Sequence, residues 1–148
     1  MRSYLAGAVV GALLLVVPAR AEDKVPTVQS QEILIKTALL TLNDADLTGN
    51  YTVLHDKLSK PFREQFSPDQ LKNGFKAVAE QKADWALIAA MPPIAAGEAA
   101  IDERGWLILR GYFDTKPNRV NYDLAFIPSE GQWKPIKLSV DLKAPKEN

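Results

Sequence analysis

Helix-forming sequence fills the front of this chain and strand-forming sequence fills the back, and that order constrains the fold more than any other feature. Helices followed by a single meandering sheet specify an α+β layer in which the helices cover one sheet face. Alternation and turn residues place strands at Trp106 to Phe113, Arg119 to Ile127 and Gln132 to Leu142, after a weaker small-residue strand from Ile94 to Ile101. The expectation is a curved antiparallel sheet of about four strands.

Arg119 to Ile127 alternates cleanly, with Val120, Tyr122, Leu124 and Phe126 on one face and Asn121, Asp123 and Ala125 on the other. The strand before it is two-sided, because Leu107, Leu109 and Phe113 oppose Trp106, Ile108 and Tyr112. Both of its faces need cover. The last strand changes phase: Trp133 and Pro135 share one face, yet Ile136, Leu138, Val140 and Leu142 fall on the other. One inserted residue near Pro135 brings both sets inward, which predicts a β-bulge there. A sheet bent in this way and wrapped by helices makes a cone.

The helical part starts with a stripe over Val28 to Leu42, formed by Ile35, Ala38, Leu39 and Leu42, and Asn43-Asp44-Ala45-Asp46 is read as its stop. Thr48 or Asn50 caps a second helix with the stripe Tyr51, Leu54, His55 and Leu58, and Pro61 imposes a break. Ser67-Pro68-Asp69-Gln70 is a capping box with proline at the first helical position, predicting a helix from Pro68 to about Gln81. Asp84 caps one more turn, through Trp85, Leu87 and Ile88, which Pro92-Pro93 ends.

Ahead of all this, Met1-Arg2, an apolar run from Tyr4 to Val17 and Ala19-Arg20-Ala21 read as a secretory signal over residues 1–21, cleaved after Ala21. The apolar run is fourteen residues, short of the roughly 20 a spanning helix needs. Residues 22–148 then form one domain with an ordered core of about 28–142. The expected address is periplasmic or secreted, without stable membrane insertion. The sequence has no cysteine, so packing alone holds the domain together. Cleavage removes two of 18 basic groups and none of 18 acidic ones, leaving a formal charge of −2, which draws the chain to neither nucleic acid nor anionic lipid.

Phe66-Ser67-Pro68-Asp69-Gln70-Leu71, Gly105-Trp106-Leu107-Ile108-Leu109, Gly111-Tyr112-Phe113 and Gly131-Gln132-Trp133-Lys134 together resemble the nuclear transport factor two-like superfamily, of cystatin-like topology. The resemblance is nearest to its small exported members of unknown function and covers about Gln31 to Leu142. It implies a cone of helices on a curved sheet. That fold carries enzymes, binders and assembly domains alike, so it implies no single activity. No motif fixes the superfamily's catalytic tyrosine, acid or base on a residue of this chain.

His55, the only histidine, stands beside Asp56, but neighbours on a helix point about 100° apart, so Asp56 is poorly placed to orient it. Asp123 lies on the polar side of its strand and can meet Arg110 across the sheet as an ordinary ion pair. These two are the candidates for acid–base chemistry. Tyr51, His55, Trp85, Tyr112, Tyr122 and Trp133 are the candidate pocket lining, though aromatic residues serve equally as core filler. One histidine without cysteine gives no metal site, and no cofactor motif is present. The reading is a non-catalytic domain for a small apolar ligand or a protein partner, such as an envelope protein, with the two-sided strand suiting a homodimer. Its alternatives are an isomerase- or dehydratase-like enzyme and an assembly module of an envelope complex.

Overall fold

The computed structural model describes residues 24–145; the expected secretory signal over residues 1–21 and its expected cleavage after Ala21 lie outside the described residues. Among the described residues five helices come first: α1 (Val28–Thr48), α2 (Thr52–Lys57), α3 (Lys60–Gln65), α4 (Pro68–Gly74) and α5 (Lys76–Ala79). A 3-10 turn, Trp85–Ala89, leads into the antiparallel strands β1 (Ile94–Ala95), β2 (Ala100–Ile101), β3 (Leu107–Phe113), β4 (Arg119–Ser129) and β5 (Gln132–Lys143). The chain is therefore α+β, helices before sheet. Both β1 and β2 pair with β3, which pairs with β4, which pairs with β5. The sheet has five strands rather than about four, because the small-residue segment is interrupted. Ala95 faces Gly111 and Ala100 faces Ile108, so four residues, among them Gly97 at φ 97°, bulge out across two partner positions.

The first helix runs six residues past its expected end. Leu42 and Ala45 continue the buried face at 0% and 3% exposure, and this packing outweighs the turn preference of the Asn and Asp residues around them. Gly49 ends the helix instead, at φ 70°, with its N–H donating to the Ala45 carbonyl at 2.8 Å. Neither Thr48 nor Asn50 is the N-cap of α2, which is Tyr51 without a side-chain cap; Asn50 Oδ1 accepts from the Thr52 amide at 3.0 Å, and Thr48 Oγ1 from the Asn50 amide at 3.1 Å, in the turn that leads into the helix. Pro61 does not break a helix. It sits in the first turn of α3, where its missing N–H costs nothing, and the chain bends one step earlier at extended Leu58 and Ser59. The capping box at Ser67 forms in both directions, at 3.2 and 2.8 Å. The helix it starts divides at Phe75, just after Gly74, into α4 and α5. Asp84 makes no side-chain cap, and its amide donates to the Lys116 carbonyl at 2.8 Å.

The core lies between the helices and one sheet face. Leu39, Leu42, Leu54, Leu58 and Ile88 meet Leu107, Phe113, Val120, Leu124 and Phe126, all at 2% exposure or less. In β4 Val120, Tyr122, Leu124 and Phe126 are buried on one face as expected, but Ala125 on the other face is also buried, at 0% exposure. In β5 the register shifts: Ala125 faces Lys137 while Phe126 faces Pro135, leaving Ile136 as the extra residue. The bulge puts Pro135 and Leu138 on the same inner side. It also turns the Pro135 carbonyl to accept from the Ser59 amide at 2.9 Å. Beside it the Lys60 amide donates to Ser129 Oγ at 3.1 Å, and the Arg63 guanidinium holds Glu130 at 2.5 Å.

Side chains of the same chain cover part of the outer face along β3 and at Trp106 just before it. The Arg104 guanidinium lies over the Trp106 ring at 3.6 Å and Arg119 over Tyr112 at 4.7 Å. Between them Asp123 takes Arg110 at 3.1 Å and Lys137 at 2.8 Å.

Candidate functional site

Where α1 passes α2 and the start of β5, the side chains leave a cavity of about 340 Å³. Leu34, Ala38 and Thr41 project from one face of α1, spaced four and three residues apart. Leu54 and Leu58 close it from the α2 side, and Phe126, Trp133, Pro135 and Leu138 form its sheet wall. That wall exists because of the Ile136 bulge, since residues three apart on a regular strand face opposite ways. A volume of this size with mainly apolar walls falls within the range of small-molecule sites. A shallower groove lined by Val25, Pro26 and Thr27 adjoins the cavity, with which it shares Ile33, Leu34, Gln132 and Trp133.

Polar groups gather at the rim. Lys57 Nζ donates to Thr41 Oγ1 at 3.4 Å, and Thr41 is only 9% exposed. Lys134 runs along the wall to pair with Glu130 at 3.4 Å. The Arg63 hydrogen bond, assisted by Lys134, holds the Glu130 carboxyl below the usual carboxylate range. Asp56 also lines the cavity at its wet edge, its side chain 71% exposed and 3.7 Å from His55 Nδ1.

The six candidate lining residues do not converge. Trp133 alone lines this cavity. Tyr51 is buried with its hydroxyl donating to Asp46. His55 is half-buried with Nε2 at 3.1 Å from the Arg63 carbonyl. Trp85 borders a different cleft, Tyr112 lies on the outer sheet face under Arg119, and Tyr122 packs over Gly111 and Phe113. Asp123 is also on the outer face. Partial burial would raise its carboxyl, but the hydrogen bonds from Lys137 and Arg110 outweigh it and hold the group low. Neither His55 nor Asp123 lines the cavity, so the cavity wall carries no paired acid and base from that set.

A second cleft, of about 600 Å³, lies between the end of α1, α5 and the 3-10 turn, bounded by Lys116 and Pro117. On its wall is Asp46, which the sequence reading treats as a turn residue. Burial raises the Asp46 carboxyl despite the Tyr51 hydrogen bond, and burial also raises the Tyr51 hydroxyl. The only sequence signal for this pair is the five-residue spacing, which needs the αL turn at Gly49 to bring the groups together. Among the described residues no cluster of three or more metal-ligating side chains forms, and no helix is long and apolar enough to cross a membrane. Comparison with protein-family models, curated proteins and solved structures gives no match to this chain.

Proposed function

We propose that the chain is an exported, non-catalytic domain that holds a small apolar ligand between its helices and its sheet, in a cone of the nuclear transport factor two-like kind. The observation that carries this reading is the 340 Å³ cavity walled by Leu34, Leu54, Phe126, Trp133 and Leu138. A solid core would bury these same residues without leaving space. Titration with the neutral fluorophore N-phenyl-1-naphthylamine tests it. Saturable binding is expected in the wild type. It should weaken at least about tenfold in Thr37→Trp, whose ring would cover the mouth from an exposed position. Equal binding by both proteins would place the dye elsewhere and remove the reading. Processing after Ala21 is checked by the intact mass of the exported protein.

A second reading is a homodimer through the outer sheet face, favoured by the row Trp106, Ile108 and Tyr112, each half-buried in the single chain. Size-exclusion chromatography with light scattering decides it. A strict monomer at high concentration removes the dimer and leaves the cavity untouched.

A further inference from the structure

The cavity is apolar on its walls and asymmetric at its rim. Lys57 makes no ion pair among the described residues, and its one hydrogen bond, to Thr41, is long at 3.4 Å. Thr41 Oγ1 accepts that bond, and its own proton finds no acceptor among the described residues. Two donors therefore meet at one edge of a mainly apolar volume, one of them charged. Of the other charges at the rim, Lys134 is held by Glu130 and Glu130 by Arg63, while Asp56, which also lines the cavity, faces water at 71% exposure. The charge without an ion pair that bonds a buried group of the cavity wall is the Lys57 ammonium, on Thr41. An anionic oxygen entering here gains a charge-assisted bond, whereas a cation would face repulsion.

Size narrows the class. At about 30 Å³ for each water-sized group, the cavity takes roughly eleven such groups. Resting on the ligand-binding reading above, we propose that the cavity takes an amphiphilic carboxylate of medium chain length. Its alkyl body lies against Leu34, Leu54, Phe126 and Leu138, and its carboxylate lies at Lys57 and Thr41.

Isothermal titration of the mature chain with octanoate, 1-octanol and octylammonium near neutral pH tests this. Octanoate should bind about tenfold more tightly than 1-octanol, with octylammonium weakest. Lys57→Met, at an exposed position that leaves the core intact, should abolish the octanoate advantage while leaving 1-octanol affinity within about twofold. Thr41→Val should reduce octanoate binding about threefold. If 1-octanol and octanoate bind equally, the carboxylate assignment is wrong and the apolar cavity stands. If none of the three binds, both fall. An unchanged octanoate affinity in Lys57→Met would overturn the role of Lys57.

Discussion

Gly111→Ala sets two effects against each other, and the structure decides between them. Glycine within a strand costs roughly 0.5–1 kcal/mol relative to alanine, so backbone preference alone predicts stabilisation. A methyl at Gly111 would, however, lie 2.5 Å from Tyr122 Oη and 2.9 Å from its Cζ, and closer still to the Ile94 carbonyl oxygen. Tyr122 is 4% exposed and packed on Phe113 with ring centroids 5.8 Å apart, so it has little room to retreat. β1 is two residues long and will give way first. Overpacking of this kind costs about 1–3 kcal/mol. Set against the backbone gain, that leaves a net loss near 1 kcal/mol. For a domain of this size about 4 °C of Tm accompanies each kcal/mol, so a fall of about 4–5 °C is expected by calorimetry. Tyr122→Leu in the same background should recover about 1 kcal/mol through non-additivity, because it removes one of the two clashing groups. An alanine variant as stable as the wild type, or more so, would refute the close-approach argument.

Ser59 Oγ is fully buried without a hydrogen-bond partner, so Ser59→Ala should raise the urea midpoint by the equivalent of about 0.5–1 kcal/mol; a clear loss would contradict this. Ser67→Ala removes one half of the capping box and should cost about 1 kcal/mol in the same assay. Burial raises Asp46, so the folded state keeps that proton longer than the unfolded chain. Between the ordinary carboxylate pKa and the raised one, ionisation therefore takes stability away as pH rises. Asp46→Asn should remove that decline while still accepting from Tyr51. Urea midpoints from about pH 3 to about pH 7 read the difference from wild type. Asp123 has the opposite sign: held low by Lys137 and Arg110, it stabilises above the ordinary carboxylate pKa, and that contribution disappears as pH falls through its lowered value. Asp123→Asn should flatten the acid limb that Asp46→Asn leaves in place.

Features written in a few adjacent residues were legible from sequence. The capping box at Ser67, the inward face of β4 at Val120, Tyr122, Leu124 and Phe126, and the bulge beside Pro135 each follow from local chemistry, and each forms. Helix ends were less legible, because Asn43 to Asp46 can stop a helix or sit on its wet side, and only the tertiary burial of Leu42 and Ala45 decides. Pro61 shows the same ambiguity, since proline breaks a helix interior and suits a first turn. The cavity was the least legible feature. Its walls come from α1, α2, β4 and β5, and of the aromatic candidates only Trp133 reaches it, the others being drawn into the core, the second cleft or the arginine-covered outer face.

The extra residue in β5 has a consequence for how the molecule opens. With the Ser59 amide on Pro135, the Lys60 amide on Ser129 and Arg63 on Glu130, the link between α2 and α3 is tied to the β4–β5 hairpin across about 70 residues of chain. These amides should exchange with solvent deuterium as one cooperative unit, at rates shared with the hairpin tip rather than with the nearer residues of α4. The unit shares Pro135 and the adjoining Leu58 with the cavity wall, so occupancy of the cavity should slow its exchange.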